Sequence, residues 1–496
     1  MLVEALLESA QRFGRSPAVA DASRRWDYRR LATVATAMRS IIKRQATGQR
    51  VGIMLPACAA FPAVLFGALW AGKTAVPLNF LLSADELARI VKDAGLDVVY
   101  SVRHFRELLS KLPVRTAFLE DLPLKRGVVL AKLRPRPKPP GVSPNDTAVI
   151  LYTSGTSGDP KGVELTYGNL RSNCDACIEA ARMTQEQTFL NLLPPFHVFG
   201  LTGNVLVPVV LGANVFAIPR FQPGAALEAM RQERVSIVLA IPSMYSAMLR
   251  QKSAPADALA SVDLAMSGGE PLPPDLAQGF AERFGVTLHQ GYGLTETAPV
   301  ISLCGSHMAR DGSVGRIVPG VECRIVDDDH VPLATGGDGE IQVRGPCVMK
   351  GYYRRPDETA AVIDAQGWFR TGDVGRLDED GFLFITGRKK EMIIVGGENV
   401  HPREIEGVLE QHPAVEEAAV IGMPDVSRGE TPLAFVTFKA DQSATEIEMR
   451  SFAKQRLAGF KVPREIRVID DFPRGPTGKV LKRALRESFA AKQVST

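Results

Sequence analysis

The chain has 496 residues, enough for about two to four domains at roughly 100–200 residues each and for a real hydrophobic core. Hydrophobic residues make up 45% and charged residues 23%, an ordinary enzyme balance, and the net charge of +4 gives no reason to expect nucleic acid while suiting small anionic ligands. Six cysteines in a chain this long exclude a disulfide scaffold, so a reducing, cytoplasmic setting is expected.

In chain order, residues 1–14 carry Glu4 and Glu8 and no long apolar run, unlike a signal peptide. Short apolar runs at 50–55, 147–152, 236–241, 263–266 and 286–289 alternate with helical patterns. That alternation predicts an α/β fold of parallel sheets covered by helices. Residues 124–145, rich in proline, lysine and arginine, read as a solvated connector. Lys132, Arg134, Arg136 and Lys138 give it a basic face, for which a plain loop is favoured over a membrane-surface contact. Cys174 and Cys177 have metal-site spacing, but zinc needs four ligands and there is no second pair. Leu170, Cys174, Cys177, Ile178 and Ala181 share one helical face, so both thiols are expected in the core. The apolar stretch 205–219 is shorter than the roughly 20 residues of a membrane span, and Gly212 and Asn214 interrupt it.

After about residue 300 the pattern turns to short, glycine-rich strands ending at 382–386, then a charged break at 387–391. Beyond it a helix is expected at 402–410, strands at 415–421 and 433–438, a helix at 445–457, and a polar tail. The domain boundary is placed at this break, giving units 1–387 and 388–496.

The strongest local signal is Leu151-Tyr-Thr-Ser-Gly-Thr-Ser-Gly-Asp-Pro-Lys-Gly162. A strand runs into it, and a helix with Thr166 as N-cap is expected soon after. Glycines let backbone amides fold around an anion, while Ser154, Thr156, Ser157 and Lys161 donate to it, the chemistry a polyphosphate needs. Pro160 and Gly162 flank the lysine, so the GK[ST] ending of a Walker loop is missing. Two other strand runs end in polar loops, Ser267-Gly-Gly-Glu-Pro271 and Gln290-Gly-Tyr-Gly-Leu-Thr-Glu-Thr297. Ligands of open α/β sheets bind beyond such carboxyl ends. Tyr292 offers a stacking face, and Glu296 a hard oxygen for Mg²⁺. Taken alone, each could equally be a turn with a buried tyrosine or a solvated glutamate.

Together, YTSGTSGDPKG, GYGLTET, FRTGD (369–373), GRKKEMIIVGGENVHPREIE (387–406) and PRGPTGKV (473–480) resemble the adenylate-forming superfamily of acyl-CoA synthetases, peptide-synthetase adenylation domains and beetle luciferases. The motifs fall in family order over most of the chain. The resemblance implies a large N-terminal domain with a distorted barrel-like subdomain and a small, mobile α+β C-terminal domain. It also implies a two-step reaction. A carboxylate attacks the α-phosphate of Mg·ATP to give acyl-AMP and pyrophosphate; a thiol then takes the acyl group and AMP leaves.

Carried over residue by residue, Thr153, Ser154, Gly155, Thr156, Ser157, Gly158 and Lys161 should hold the β- and γ-phosphates. Gly269, Glu270 and Pro271 should line the adenine pocket, with Tyr292 and Gly293 against the base. Thr295 should meet the α-phosphate and Glu296 the metal. Asp373 should accept from the ribose hydroxyls, with Arg388 nearby. Lys390 matches the hinge, and Lys479 the lysine bridging carboxylate and α-phosphate. Gly396 and Gly397 should let the pantetheine arm of CoA pass. Ser157 stands where the family often has threonine, and Glu270 replaces the alanine of some relatives.

Pro194-Pro-Phe-His-Val-Phe-Gly200 resembles the segment where an aromatic residue or histidine gates the thiol tunnel, which makes His197 a candidate catalytic residue. His197, Phe199, Leu201, Val205, Ile241, Met244, Ser267 and Gly268 are the expected acid pocket. These segments hold no lysine or arginine to pair a second carboxylate, so an apolar acid is favoured. The stretch 55–80 also resembles the ligase half of bacterial fatty acyl–acyl-carrier-protein synthetases and long-chain acyl-CoA synthetases. A medium- or long-chain fatty acid with ATP, Mg²⁺ and CoA is therefore expected. Acyl carrier protein is the alternative acceptor, and a catalytically silent acyl- or nucleotide-binding protein the alternative of a different class.

Overall fold

The computed structural model describes the chain apart from residues 155–159, 256, 306–307, 397, 426–427, 476–479 and 495–496; the side chains of 154, 399 and 490–494 are also outside the description. Two compact units emerge. The first comprises Met1–Leu272, Leu276–Cys323 and Val343–Phe369; the second comprises Pro273–Asp275, Arg324–Gln342 and Arg370–Thr496. The 387/388 boundary read from the sequence falls inside the second unit, at the end of the strand Leu383–Arg388.

The first unit holds two large sheets. In one, the strands Thr188–Asn191, Ile237–Ala240, Leu264–Ser267 and Leu288–Gly293 run parallel. In the other, Thr74–Pro77, Arg50–Met54 and Val98–Ser101 run parallel, and Thr147–Ser154 joins them beside Thr74–Pro77. Arg50–Met54, Val98–Ser101, Ile237–Ala240 and Leu264–Ser267 are buried almost throughout, as strands inside a parallel sheet are. The helix Ala60–Trp70 is buried on every side, as a helix apolar all round must be. Cys174 and Cys177 lie buried on the helix Tyr167–Ala180, where burial pushes both thiols up.

Three segments differ from the sequence reading. The phosphate loop leads first into a strand, Pro160–Thr166, which folds back on Thr147–Ser154 as a hairpin; only then does the helix begin. Thr166 is its N-cap, in a capping box with Asn169. The basic connector is in part a helix, Leu124–Leu133, which buries Val128. The polar tail carries a strand, Glu465–Val468, and a helix, Lys482–Val494, because Leu485 and Phe489, one turn apart, bury against Phe435 and Phe472.

The second unit is built on the long antiparallel pair Val415–Asp425 and Gly429–Phe438. Glu465–Val468 adds parallel to the latter, and the short hairpin Ile393–Val395/Glu398–Val400 also joins it. The helices Pro402–Leu409 and Glu446–Lys454 bury Ile405, Leu409, Met449 and Ala453 in the core of this α+β layer. A second sheet runs Glu322–Val326, Gly339–Arg344, Phe369–Leu377, Leu383–Arg388. Among the described residues no helix is long and apolar enough to cross a membrane.

Candidate active site

The hairpin places Thr153 opposite Lys161, so the two described ends of the phosphate motif lie on paired strands. Beside it the two-residue strand Gly351–Tyr352 pairs antiparallel, with Tyr352 opposite Val163. Tyr352 then serves two groups at once. The Lys161 ammonium stands 5.4 Å from the centre of its ring, and its hydroxyl donates to Glu296 Oε1 at 2.9 Å. Burial, and the neighbouring Glu296 carboxylate, push the Tyr352 hydroxyl up, which keeps it a donor. Lys161 also forms an ion pair with Glu358, on the short helix Pro356–Ala360. Tyr352 and Glu358 were not found from the sequence. Two tyrosines followed by a helix-starting proline were the signal available, and nothing local ties them to Lys161.

Ser267 and Gln290 are paired neighbours on adjacent parallel strands, so the loops that follow them leave the same sheet edge together. Gly293 must be glycine, because a Cβ there would lie 1.9 Å from the Pro299 carbonyl oxygen. Among the bonds that hold the Thr295–Thr297 turn, the Leu294 amide donates to Thr297 Oγ1 at 3.1 Å, and the Met349 amide donates to the Glu296 carbonyl at 2.7 Å. Tyr292, Thr295 and Glu296 are half-buried, as is Glu270, while Gly269 and Pro271 are exposed. No group of three His, Cys, Asp or Glu among the described residues could hold a metal alone. Mg²⁺ commonly takes one or two carboxylates and completes its shell with phosphate oxygens and water, so the single carboxylate of Glu296 fits that ion.

Two of the segments expected to hold the acid meet at Phe199. A Cβ on Gly268 would stand 3.0 Å from its ring, so the aromatic face lies directly over the glycine backbone. Gly269 similarly faces Ile241, whose Cγ2 would stand 3.6 Å from a Cβ at that position. His197 caps the turn Val198–Leu201, its Nδ1 accepting from the Phe199 amide at 3.3 Å. A π-turn, Thr202–Leu206, follows, a form that often marks functional sites, and it buries Val205; Leu201 is buried just before it. Met244 packs against the apolar cluster containing Tyr245 and Phe280. In these segments both amide atoms of buried Asn204 and the Oγ of buried Ser267 have no hydrogen-bond partner, nor does Oδ1 of buried Asn191 at the end of the strand Thr188–Asn191.

In the second unit, Asp373 is 2% exposed and lies opposite Arg388, whose Nε reaches Asp373 Oδ1 at 2.7 Å. The Asp373 amide donates to Thr371 Oγ1 at 3.1 Å. Lys390 is exposed in the turn Lys389–Glu391. Gly396 (φ +63°) turns the hairpin, and its amide donates to the Arg428 carbonyl at 2.7 Å. Gly155, Thr156, Ser157, Gly158, Gly397, Lys479 and the Ser154 side chain lie outside the described residues.

The family model for an AMP-binding enzyme matches residues 6–353, and that for the AMP-binding enzyme C-terminal domain matches 404–479. The chain belongs to the AMP-binding enzyme family. It is 38% identical, over 93% of its length and 92% of the relative's, to a feruloyl-CoA synthase of Amycolatopsis sp.. It is 33% identical, over 99% of its length and 95% of the relative's, to a long-chain-fatty-acid–CoA ligase of Escherichia coli O157:H7. Its fold matches ATP-bound MatB from Rhodopseudomonas palustris with a TM-score of 0.90 at 28% identity, covering 99% of both chains. This AMP-binding enzyme is therefore an AMP-forming acyl-CoA ligase by family, with a mixed α/β first domain and a smaller C-terminal one.

Proposed function

We propose that this AMP-binding enzyme activates a medium- or long-chain fatty acid with Mg·ATP, releasing pyrophosphate, and passes the acyl group from acyl-AMP to the thiol of CoA. The observation that carries the reading of the acid is the wall around Phe199. Phe199, Val205 and Ile241 are apolar, and the strand ends and turns carrying them hold no lysine or arginine. A second carboxylate would be buried unpaired there, which is costly, whereas each buried methylene is favourable by about 0.8 kcal/mol. The long-chain relatives support the same reading. On the nucleotide side, Thr153 and Lys161 serve the phosphates, Gly269, Glu270, Pro271, Tyr292 and Gly293 the adenine, Thr295 the α-phosphate and Glu296 the metal. Asp373 and Arg388 serve the ribose. Lys390 is taken as the hinge between 1–387 and 388–496, Lys479 as the cation of the first half-reaction, and the turn at Gly396 and Gly397 as the path of the pantetheine arm.

A second reading, an arylpropenoic acid such as ferulate, is favoured by the 38% identical relative and by the unpartnered polar atoms of Asn191, Asn204 and Ser267. Unpaired buried polar atoms are unfavourable unless a ligand oxygen or water meets them. Pyrophosphate release across a series from acetate to C18, with ferulate and malonate included and ATP and CoA fixed, separates the two. The fatty-acid reading expects kcat/KM to climb to a broad optimum at or above about C8, with malonate poor. A best rate with ferulate would replace the acid while leaving the ligase chemistry in place. Repeating the optimum with acyl carrier protein in place of CoA identifies the acceptor.

A further inference from the structure

Lys161 is the one lysine of the phosphate segment, and it has an acidic partner already. Its ammonium is paired with the Glu358 carboxylate. Glu358 is held in turn by Arg355, at 2.9 Å on the same helix. The two elements that carry this pair are tied together by the backbone. The Tyr353 amide donates to the Gly162 carbonyl at 2.7 Å, and the Tyr352 amide donates to Thr359 Oγ1 at 2.9 Å. The helix Pro356–Ala360 is thereby registered against the lysine strand, so the contact is built in and not a chance meeting of long side chains. Lys161 and Arg355 together hold the Glu358 carboxyl below the usual glutamate range.

We propose that Glu358 is a positioning residue for Lys161, an internal stand-in for a phosphate that holds the ammonium in the nucleotide-free enzyme and is displaced by the polyphosphate of ATP or by pyrophosphate. The proposal rests on Lys161 being a phosphate ligand. One carboxylate oxygen, Oε2, takes the lysine while the other, Oε1, is held by Arg355, so an anionic oxygen stands on the ammonium as a phosphate oxygen would, with the lysine beside the Tyr352 ring. Displacement is mild because Glu358 keeps Arg355 as a partner once the lysine leaves. The same exchange run backwards helps pyrophosphate depart, since the carboxylate reclaims the ammonium. Glu358 thus weakens nucleotide binding in return for faster exchange.

The test is calorimetric binding of Mg·ATP without acid, together with pyrophosphate inhibition of the full reaction. Glu358→Gln should tighten both by about two- to fivefold, the range that removing an exposed ion-pair partner gives. Asp357→Asn removes the same charge from the exposed neighbouring position and should change neither. In a Lys161→Gln background, Glu358→Gln should have no further effect. Unchanged or weakened binding in Glu358→Gln, an equal change in Asp357→Asn, or a persistent effect without the lysine each overturns the proposal. If Lys161→Gln alone leaves ATP affinity intact, the underlying assignment of Lys161 fails instead. Melting temperatures close to the parent's show that the variants remain folded.

Discussion

Two groups proposed to serve the nucleotide have internal partners: Lys161 pairs with Glu358, and Glu296 accepts from Tyr352. In the segments proposed for the acid, Phe199, Val205 and Ile241 are apolar, and the buried polar atoms of Asn204 and Ser267, with Asn191 Oδ1 at the end of the strand Thr188–Asn191, have no hydrogen-bond partner. The contrast follows from what each region must hold before a ligand arrives. Charged groups left unpaired in a half-buried site are costly, so the fold supplies internal partners, which in the proposed reaction a phosphate or metal would replace. Neutral amides and hydroxyls are tolerated unpaired at lower cost, and so can wait for a ligand atom.

The comparison breaks most severely if the decisive charge lies in neither region. Lys479→Ala should lower acyl-AMP formation by roughly 10²-fold or more, the scale of deleting a preorganised charge donor. Preformed acyl-AMP with CoA should still react. An equal fall in both half-reactions, followed by quenched-flow assay, would falsify the role given to Lys479.

A smaller loss sharpens the nucleotide side. Glu296→Gln keeps the size and removes the charge that Mg²⁺ favours, so the magnesium concentration for half-maximal rate should rise roughly tenfold. Tyr352→Phe removes one hydrogen bond to the same carboxylate and should raise it less. A magnesium titration identical to the parent in both variants would count against Glu296 as the metal ligand.

On the acid side, Gly268→Ala puts a methyl group 3.0 Å from the Phe199 ring, tighter than ordinary contact. The ring must shift into the slot, and kcat/KM for the preferred acid should fall about tenfold, as one misplaced methylene can cost. The affinity for ATP should not move. Loss of ATP binding with unaltered acid preference would place Gly268 on the wrong side of the comparison.

The smallest effect carries the pairing rule into the second unit. Glu410 is pushed up to about 7, mainly by burial, with Glu406 and Glu417 adding repulsion, while the Ala418 amide and Arg403 partly oppose the shift. The folded carboxyl therefore keeps its proton from its ordinary value near 4.5 up to about 7, where the unfolded one has lost it. Stability should fall as pH rises through that window and level off above it. Glu410→Gln should flatten the profile and raise Tm at pH 8 by roughly 2–4 °C. A calorimetric pH series with parallel curves for parent and variant would refute this.

Much of this molecule was legible residue by residue. The apolar runs marked the parallel strands because buried strands have no polar face to show. Thr166 announced its helix because an N-cap is a local bond between a side chain and an amide three residues on. The family was readable for a related reason, since its motifs are runs of neighbouring residues, and the AMP-binding model matches over 6–353. Tertiary structure decided the rest. That the lysine strand turns back as a hairpin depends on backbone pairing with Thr147–Ser154, and that Lys482–Val494 folds as a helix depends on a place to bury Leu485 and Phe489. Tyr352 and Glu358 meet Glu296 and Lys161 only because a short strand pairs with the hairpin across a long stretch of chain. Local chemistry is written in neighbouring residues; which distant partner answers it is settled only by packing.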